Sequence, residues 1–437
     1  MTRKEILPGV FLNHIQTDKF KYASLSITLL TALKRETASM NAVLPPVLCR
    51  GSRHYDTMDK LSSRFEELYG SGISCLVKKY GEMQAIGISV TYPEAVFLPE
   101  KKSVAGDVIS LGCEVLLNPA TRGGLLLPAY VDSEKEKMAE LIRSRINDKT
   151  GYAVSRCIEE MCCFEDYAVS RFGTEDDCER INYKKLSKHY RSLLQTSPVE
   201  IFYIGKDSEK IMEALLKDNL CTMARGEIDY EIGTDIRMNA VEEEVRFFEE
   251  QMNISQSRIV IGFRLGSVME DPERAVLSVF NAVYGSGVSS KLFVNVREKL
   301  QLCYSASSSV NIYKGILLAV AGIDAARFEE ARDEMLHQLE EIRNGSVSEE
   351  ELSAAKAAVV SDLLSIEDSQ SSLEGYHFSQ IISGESISPE EYIELVNAVT
   401  AEDLQATAQS AECDMIYFLR GTGEDRETEE LPDDATA

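Results

Sequence analysis

The order of apolar and polar positions divides the chain into strands and helices that occur twice. Alternating or β-branched runs predict strands over Val10–Gln16 and Tyr22–Leu29, then over Ile73–Val77 and Ala85–Thr91. Helical spacing predicts helices from about Thr37, then over Thr57–Leu68, Lys102–Leu117, Ser133–Asn147 and Ala153–Glu165. Pro198 precedes a further strand, Val199–Ile204, which ends at Gly205. The second half runs through the same order. It has a strand at Ile259–Leu265, a helix at Glu273–Val283, a second helix that Ser289 or Ser290 can cap, and strands at Tyr304–Ile312 and Ile316–Ile323. Helices over Ala326–Arg343 and Ser348–Leu364 and a strand at Met415–Leu419 complete it.

Asn41-Ala42-Val43-Leu44 in the first half returns as Arg274-Ala275-Val276-Leu277 in the second. The pattern therefore predicts an α+β chain of two homologous domains. Each is a mostly antiparallel sheet with helices packed on it, and the pair is expected to form a half-clamp. The expected limits are 1–220 and 246–422, joined by an acidic connector over 221–245. The acidic, polar segment 423–437 is expected to be a disordered tail.

Composition narrows the function. The 437 residues carry a net charge of −26, which opposes binding to nucleic acid or anionic membranes and suits attraction of basic peptides. No apolar run approaches the ~20 residues of a membrane span, and Met1–Pro8 holds no apolar signal core, so a cytoplasmic protein is expected. The ten cysteines form no C-x-x-C pair, and the five histidines form no local metal motif. His337-Gln338-Leu339-Glu340-Glu341 has half of one, but it lies on an acidic amphipathic helix with no second His one turn on.

The most informative stretch is Tyr284–Tyr313. Gly285 and Gly287 lie one residue apart and allow positive φ or a close backbone approach. Leu292, Phe293 and Val296 then fall at helical spacing, Arg297 sits near the helix end, and Tyr304 opens a strand. The turn brings two strong hydrogen-bond donors together. The glycine loop lacks the Gly-Lys-Ser/Thr ending of a phosphate loop.

This string resembles the second domain of the pitrilysin–insulinase family of zinc peptidases. There a glycine loop is followed by Ser-Ser-Arg/Lys-Leu-Phe, then Arg-Glu-Lys, then a Tyr-Ser strand. The resemblance implies that Arg297 and Tyr304 bind substrate backbone near the scissile bond, with Tyr304 helping to hold the oxyanion. Gly285 and Gly287 would shape the same substrate-binding site. Within bacteria the chain is most similar to the zinc-less members of paired sets associated with a 5-aminopentanol modification of elongation factor P.

Catalytic members carry His-x-x-Glu-His on a first-domain helix, just before a Leu-x-x-Gly-Thr/Ser turn. Here that turn is Leu48-Cys49-Arg50-Gly51-Ser52. Counting back, the first His position falls on Ala42, the Glu on Pro45 and the second His on Pro46. The third ligand position falls on Leu141, or on its neighbour Glu140 after a slip of one residue. The tandem proline is also expected to kink or interrupt the helix near Leu44.

The resemblance thus implies a zinc-less subunit of a two-chain zinc peptidase. It would bind no metal itself and supply Arg297 and Tyr304 to a sister chain that carries the zinc and shares an extended peptide substrate. The alternative is a purely structural or peptide-binding module, as the family's respiratory-complex core subunits are. An independent enzyme with unrelated chemistry is the third reading.

Overall fold

A computed structural model describes residues 1–237, 239–240, 242–266 and 270–423. Residues 424–437 of the expected tail, and 238 and 241 of the connector, lie outside the described residues. Contacts divide the chain into two compact units. The first comprises 1–146, 162–236 and 362–389, and the second 147–161, 237–361 and 390–437.

The first unit holds β1 (Thr2–Leu7), β2 (Val10–Gln16), β3 (Tyr22–Ala32), β4 (Gly72–Tyr80), β5 (Met83–Pro93), the short hairpin of β6 (Thr121–Arg122) and β7 (Leu125–Leu126), and β8 (Val199–Gly205). Six of these form a sheet of order β1-β2-β8-β3-β5-β4, antiparallel except between β2 and β8. Its helices are α1 (Arg35–Leu48), α2 (Met58–Glu67), α3 (Ala105–Leu117), α4 (Pro128–Ser144), α6 (Glu175–Glu179), α7 (Tyr183–Thr196), α8 (Glu209–Leu220) and α12 (Gln370–Ser383). The second unit contains α5 (Lys149–Met161), β9 (Arg246–Met252), β10 (Ser257–Arg264), α9 (Asp271–Tyr284), a π-helix (Leu292–Lys299), β11 (Cys303–Asn311) and β12 (Ile316–Ile323). It ends with α10 (Phe328–Arg343), α11 (Glu349–Ser365), α13 (Pro389–Ala398), α14 (Ala401–Ser410) and β13 (Glu412–Gly421).

The internal repeat is visible in the strand orders. The second sheet runs β9-β13-β10-β12-β11 and is antiparallel except between β9 and β13. It matches β2-β8-β3-β5-β4 strand for strand, including the one parallel pair. Consequently β4 and β11 occupy equivalent edges.

Each unit also takes a helix from the other half of the chain. In the first unit, Phe378 of α12 packs on Tyr80 and Phe202, with ring centroids 5.0 and 5.7 Å away, and closes a small cluster with Leu30 and Ala85. Glu374 accepts from Ser26 Oγ at 3.0 Å, and burial raises its carboxyl above the usual range. In the second unit, Arg246 donates to the Met161 carbonyl of α5 at 2.8 Å and to Asp414 at 2.6 Å. Arg264 and Asp414 are both fully buried and meet at 2.9 Å. Two arginines around one carboxylate offset the desolvation that an isolated buried charge would suffer.

The interruption expected near Leu44 does not occur. Helix α1 runs unbroken through Pro45 and Pro46 to Leu48, and Cys49 N–H still bonds the Pro45 carbonyl at 3.1 Å. The prolines stand in its final turn, so only their own two ladder bonds are lost. Ala42, Val43, Leu44, Pro45, Val47 and Leu48 are all buried in the first core. That packing outweighs the ~3 kcal/mol cost of an interior proline.

Candidate functional site

The glycine loop follows α9 directly. Gly287 adopts φ +100°, a region only glycine enters without strain. Gly285 is required for a different reason. A Cβ there would lie 2.4 Å from Ser308 Oγ and 2.7 Å from Ser308 N. Ser308 donates its N–H to the Gly285 carbonyl at 3.0 Å, so the loop is stitched to the edge of β11. Along a strand the N–H and C=O of alternate residues face the same edge, which aims those of Ala306 away from β12 as well.

The helix expected after the loop is there, and it is a π-helix. Such turns are rare and gather at functional sites. Ser290 Oγ accepts from Phe293 N–H at 3.4 Å at its start, and Leu300 N–H reaches the Asn295 carbonyl at 3.1 Å near its end. Leu292 and Val296 are buried. Lys291 bonds Glu351 at 2.8 Å and Asn295 bonds Gln338 at 2.6 Å, fixing the π-helix against α11 and α10. Arg297 is exposed, with its guanidinium 4.5 Å above the Phe293 ring. That stacking orients the cation without consuming its hydrogen-bond donors.

Tyr304 sits at a β-bulge. Cys303 faces Ile323 and Ser305 faces Gly322, so Tyr304 is the extra residue with no opposite on β12. Bulges re-aim a side chain out of the regular pleat. Tyr304 is accordingly 77% exposed, although a phenol at a strand start usually packs. Arg297 acts on the same place: burial pushes the Cys303 thiol up to about 11, and the nearby Arg297 charge pulls against that rise. A phenol and a guanidinium presented beside an open strand edge can donate to carbonyl oxygens of an extended chain.

The first unit carries the positions that the resemblance assigns to zinc. Ala42 and Pro45 are buried, Pro46 is half-buried, and Leu141 on α4 is 44% exposed, next to exposed Glu140. Alkyl side chains offer no lone pair, so the residues at 42, 45 and 46 do not fit a zinc ion. Among the described residues no group of three or more His, Cys, Asp or Glu side chains could hold a metal. His337 pairs only loosely with Glu341, at 4.0 Å on an exposed face.

Asn41, next to the first of these positions, is fully buried in a polar chain that the sequence did not reveal. His189 Nε2 donates to Asn41 Oδ1 at 2.5 Å, and Asn41 Nδ2 donates to Gln84 Oε1 at 2.8 Å. Gln84 in turn donates to the Arg171 carbonyl at 2.6 Å. Burial pushes the His189 imidazole down to about 4, so it is neutral and donates through Nε2. The three side chains come from α7, α1 and β5, far apart in the sequence. No helix among the described residues is long and apolar enough to cross a membrane.

A sequence profile of the family described as "Peptidase M16 inactive domain" matches residues 180–359. The chain is 30% identical to the "Probable inactive metalloprotease YmfF" of Bacillus subtilis, over 95% of this chain and 96% of that one. The crystal structure of a conserved protein from Enterococcus faecalis superposes with a TM-score of 0.87 and 27% identity, covering 97% and 99% of the two chains. The structure of a peptidase M16 inactive domain from Pseudomonas fluorescens superposes with a TM-score of 0.76 at 16% identity, covering 96% and 98%.

Proposed function

Because the chain belongs to the inactive members of the M16 peptidase family, we propose that it serves as the zinc-free subunit of a two-chain metallopeptidase. Its partner would be a sister chain that carries the zinc, and its own share of the site would be Arg297 and Tyr304. The observation that carries this reading is Tyr304, held 77% exposed by a bulge where packing has no use for it.

An extended peptide would lie along a sheet edge, gaining affinity from backbone hydrogen bonds and little from its sequence. Arg297 would donate to a substrate carbonyl. Tyr304 would donate its hydroxyl proton as a hydrogen bond to the carbonyl oxygen as that oxygen gains charge. Such a donor is useful only if it is fixed before the reaction. The π-helix, its ties to α10 and α11, and the loop stitched through Gly285 and Ser308 supply that rigidity.

The test is reconstitution. This chain, mixed with a zinc-bearing M16 chain, should cleave an unfolded peptide that neither cleaves well alone, and replacing Arg297 and Tyr304 should abolish most of that gain. Full turnover with both residues replaced would favour the scaffold reading instead.

A further inference from the structure

The two sheets match strand for strand except at one end. Beyond β2 the first sheet carries a sixth strand, β1, paired antiparallel from Thr2 opposite His14 to Leu7 opposite Val10. Helix α8 lies against β1, where Thr2 donates to Glu209 at 2.7 Å and Lys4 to Glu213 at 2.7 Å. Under that cover Leu12 of β2 is 1% exposed. Strand β9 is the counterpart of β2 and ends its sheet, for among the described residues no strand lies beyond it. Phe247 pairs with Ile416 as Leu12 pairs with Ile201, yet it is 53% exposed, and Val245 before it is exposed as well. Its ring lies 5.7 Å from Phe328 of α10, which in turn lies 4.2 Å from Phe418, so an aromatic row runs out to the sheet edge.

The backbone of this edge is open too. Thr422, just after β13, donates to the Met252 carbonyl at 3.1 Å, which turns Met252 toward β13. Alternate residues of a strand present their N–H and C=O to the same side. Glu250, Phe248 and Arg246 therefore face β13, whereas Phe247, Glu249 and Gln251 present theirs to the open edge. Such a row of backbone donors and acceptors is a template for another strand. The surroundings are acidic. Glu249 is answered by Arg420 at 2.6 Å. Glu242, Glu243 and Glu244, which lead into β9, are exposed and form no ion pair among the described residues.

We propose that the β9 edge is a docking site for an extended, basic segment of a partner protein, which joins the second sheet as a sixth strand. Its backbone pairs with Phe247, Glu249 and Gln251, an apolar side chain covers the Phe247 ring, and its lysines or arginines meet Glu242, Glu243 and Glu244. Strand β1 shows how this chain fills the equivalent place in its own first unit. It brings Arg3 to Glu200 at 2.6 Å and Lys4 to Glu213 at 2.7 Å, and it buries Ile6. A second copy of this chain is the poorer occupant. It would set one acidic β9 against another, and like charges across a strand pair are destabilising. The docking edge is the opposite end of the sheet from β11, with three strands between them.

The test uses the full chain and a fluorescein-labelled, capped peptide of alternating valine and lysine, read by fluorescence anisotropy at physiological salt. A second peptide carries the same side chains with every backbone nitrogen methylated, so it keeps the charge but cannot donate to a strand. The first peptide should bind about tenfold more tightly than the second, or better. Gln251→Pro removes an N–H from the open edge and none from the ladder to β13, and Phe247→Ser removes the apolar contact. Each should weaken binding of the first peptide by roughly tenfold and leave thermal unfolding close to wild type. Equal affinity for the two peptides, or no binding of either, overturns the proposal. Binding that survives both variants overturns it too, and its loss in Arg297→Ala would place the peptide at β11 instead. So does a chain that dimerises in sedimentation and loses the dimer in Gln251→Pro, since a second copy then fills the edge. The comparison of the two peptides on the wild-type chain decides should either variant fail to fold.

Discussion

Ser308 donates its backbone N–H to the Gly285 carbonyl at 3.0 Å, and Ser308 also fills the space that a side chain on Gly285 would need. Gly285→Ala must therefore push β11 away from the loop, at a cost of about 1–3 kcal/mol. Gly287→Ala meets nothing within 4 Å and is penalised only through its φ of +100°, by about 1–2 kcal/mol. Denaturant unfolding of a double-mutant cycle separates the two causes. Gly285→Ala should couple to Ser308→Ala, and Gly287→Ala should not.

Tyr304 contributes almost nothing to packing, so Tyr304→Phe should change stability by less than ~0.5 kcal/mol. In a reconstituted pair it should lower turnover by roughly 10²–10³. Arg297→Ala should lower turnover and weaken peptide binding as well. Steady-state kinetics against peptide concentration, with thermal unfolding as the control, reads both.

The purified chain should hold no stoichiometric zinc and should show no chelator-sensitive peptidase activity on unfolded peptides. Ala42, Pro45 and Pro46 supply neither ligand nor base. Elemental analysis after dialysis is the measurement, and one zinc per chain with chelator-sensitive cleavage contradicts the assignment.

Asp414 joins Arg264 and Arg246 in a buried cluster beneath α5. Asp414→Ala takes from buried Arg264 a carboxylate that it meets at 2.9 Å. A loss of about 3–5 kcal/mol is expected from urea unfolding. A loss below ~1 kcal/mol, the range of surface pairs, would mean that water reaches the arginines.

His189 sets a pH dependence. Its folded-state value is about 4, below the ordinary 6.5, because burial disfavours the charged form. The unfolded chain then binds the proton more readily than the folded one. Stability is fully present above about pH 6.5 and is lost as pH falls toward 4. At pH 5 the loss is on the order of 1–2 kcal/mol. His377 shifts in the same direction, and Glu200 and Glu374, raised by burial, shift in the opposite sense. The difference between wild type and His189→Gln across pH 7 to 5 isolates the imidazole, and wild type should fall more steeply.

Periodicity recovered the strands that face one core. Val10–Gln16 and Ile316–Ile323 have the bounds their alternation predicts, and the repeated order of elements is real. What it could not supply is the identity of a partner. Ser26 alternates with apolar neighbours as though it faced water, yet it is 1% exposed beneath Glu374 of a helix far along the chain. No strand was expected over β9, where Glu249 and Glu250 break the apolar alternation, although it is an edge strand paired with β13. The site shows the same division. Gly285, Arg297 and Tyr304 were legible as a motif, whereas the π-helix and the bulge depend on hydrogen-bond register, and the Asn41–His189–Gln84 chain joins residues distant in sequence.

The exchange of α5 and α12 sets an order of events on the ribosome. The first sheet is fully synthesised by Gly205, yet the helix that covers Leu30, Ala85 and Phe202 does not begin until Gln370. At ~5–20 residues per second, the nascent first unit waits roughly 10–30 s with that apolar patch bare. A chain released early, by truncation or a premature stop before Gln370, would keep the patch uncovered permanently. Such products should depend on chaperones far more than a fold with contiguous domains would.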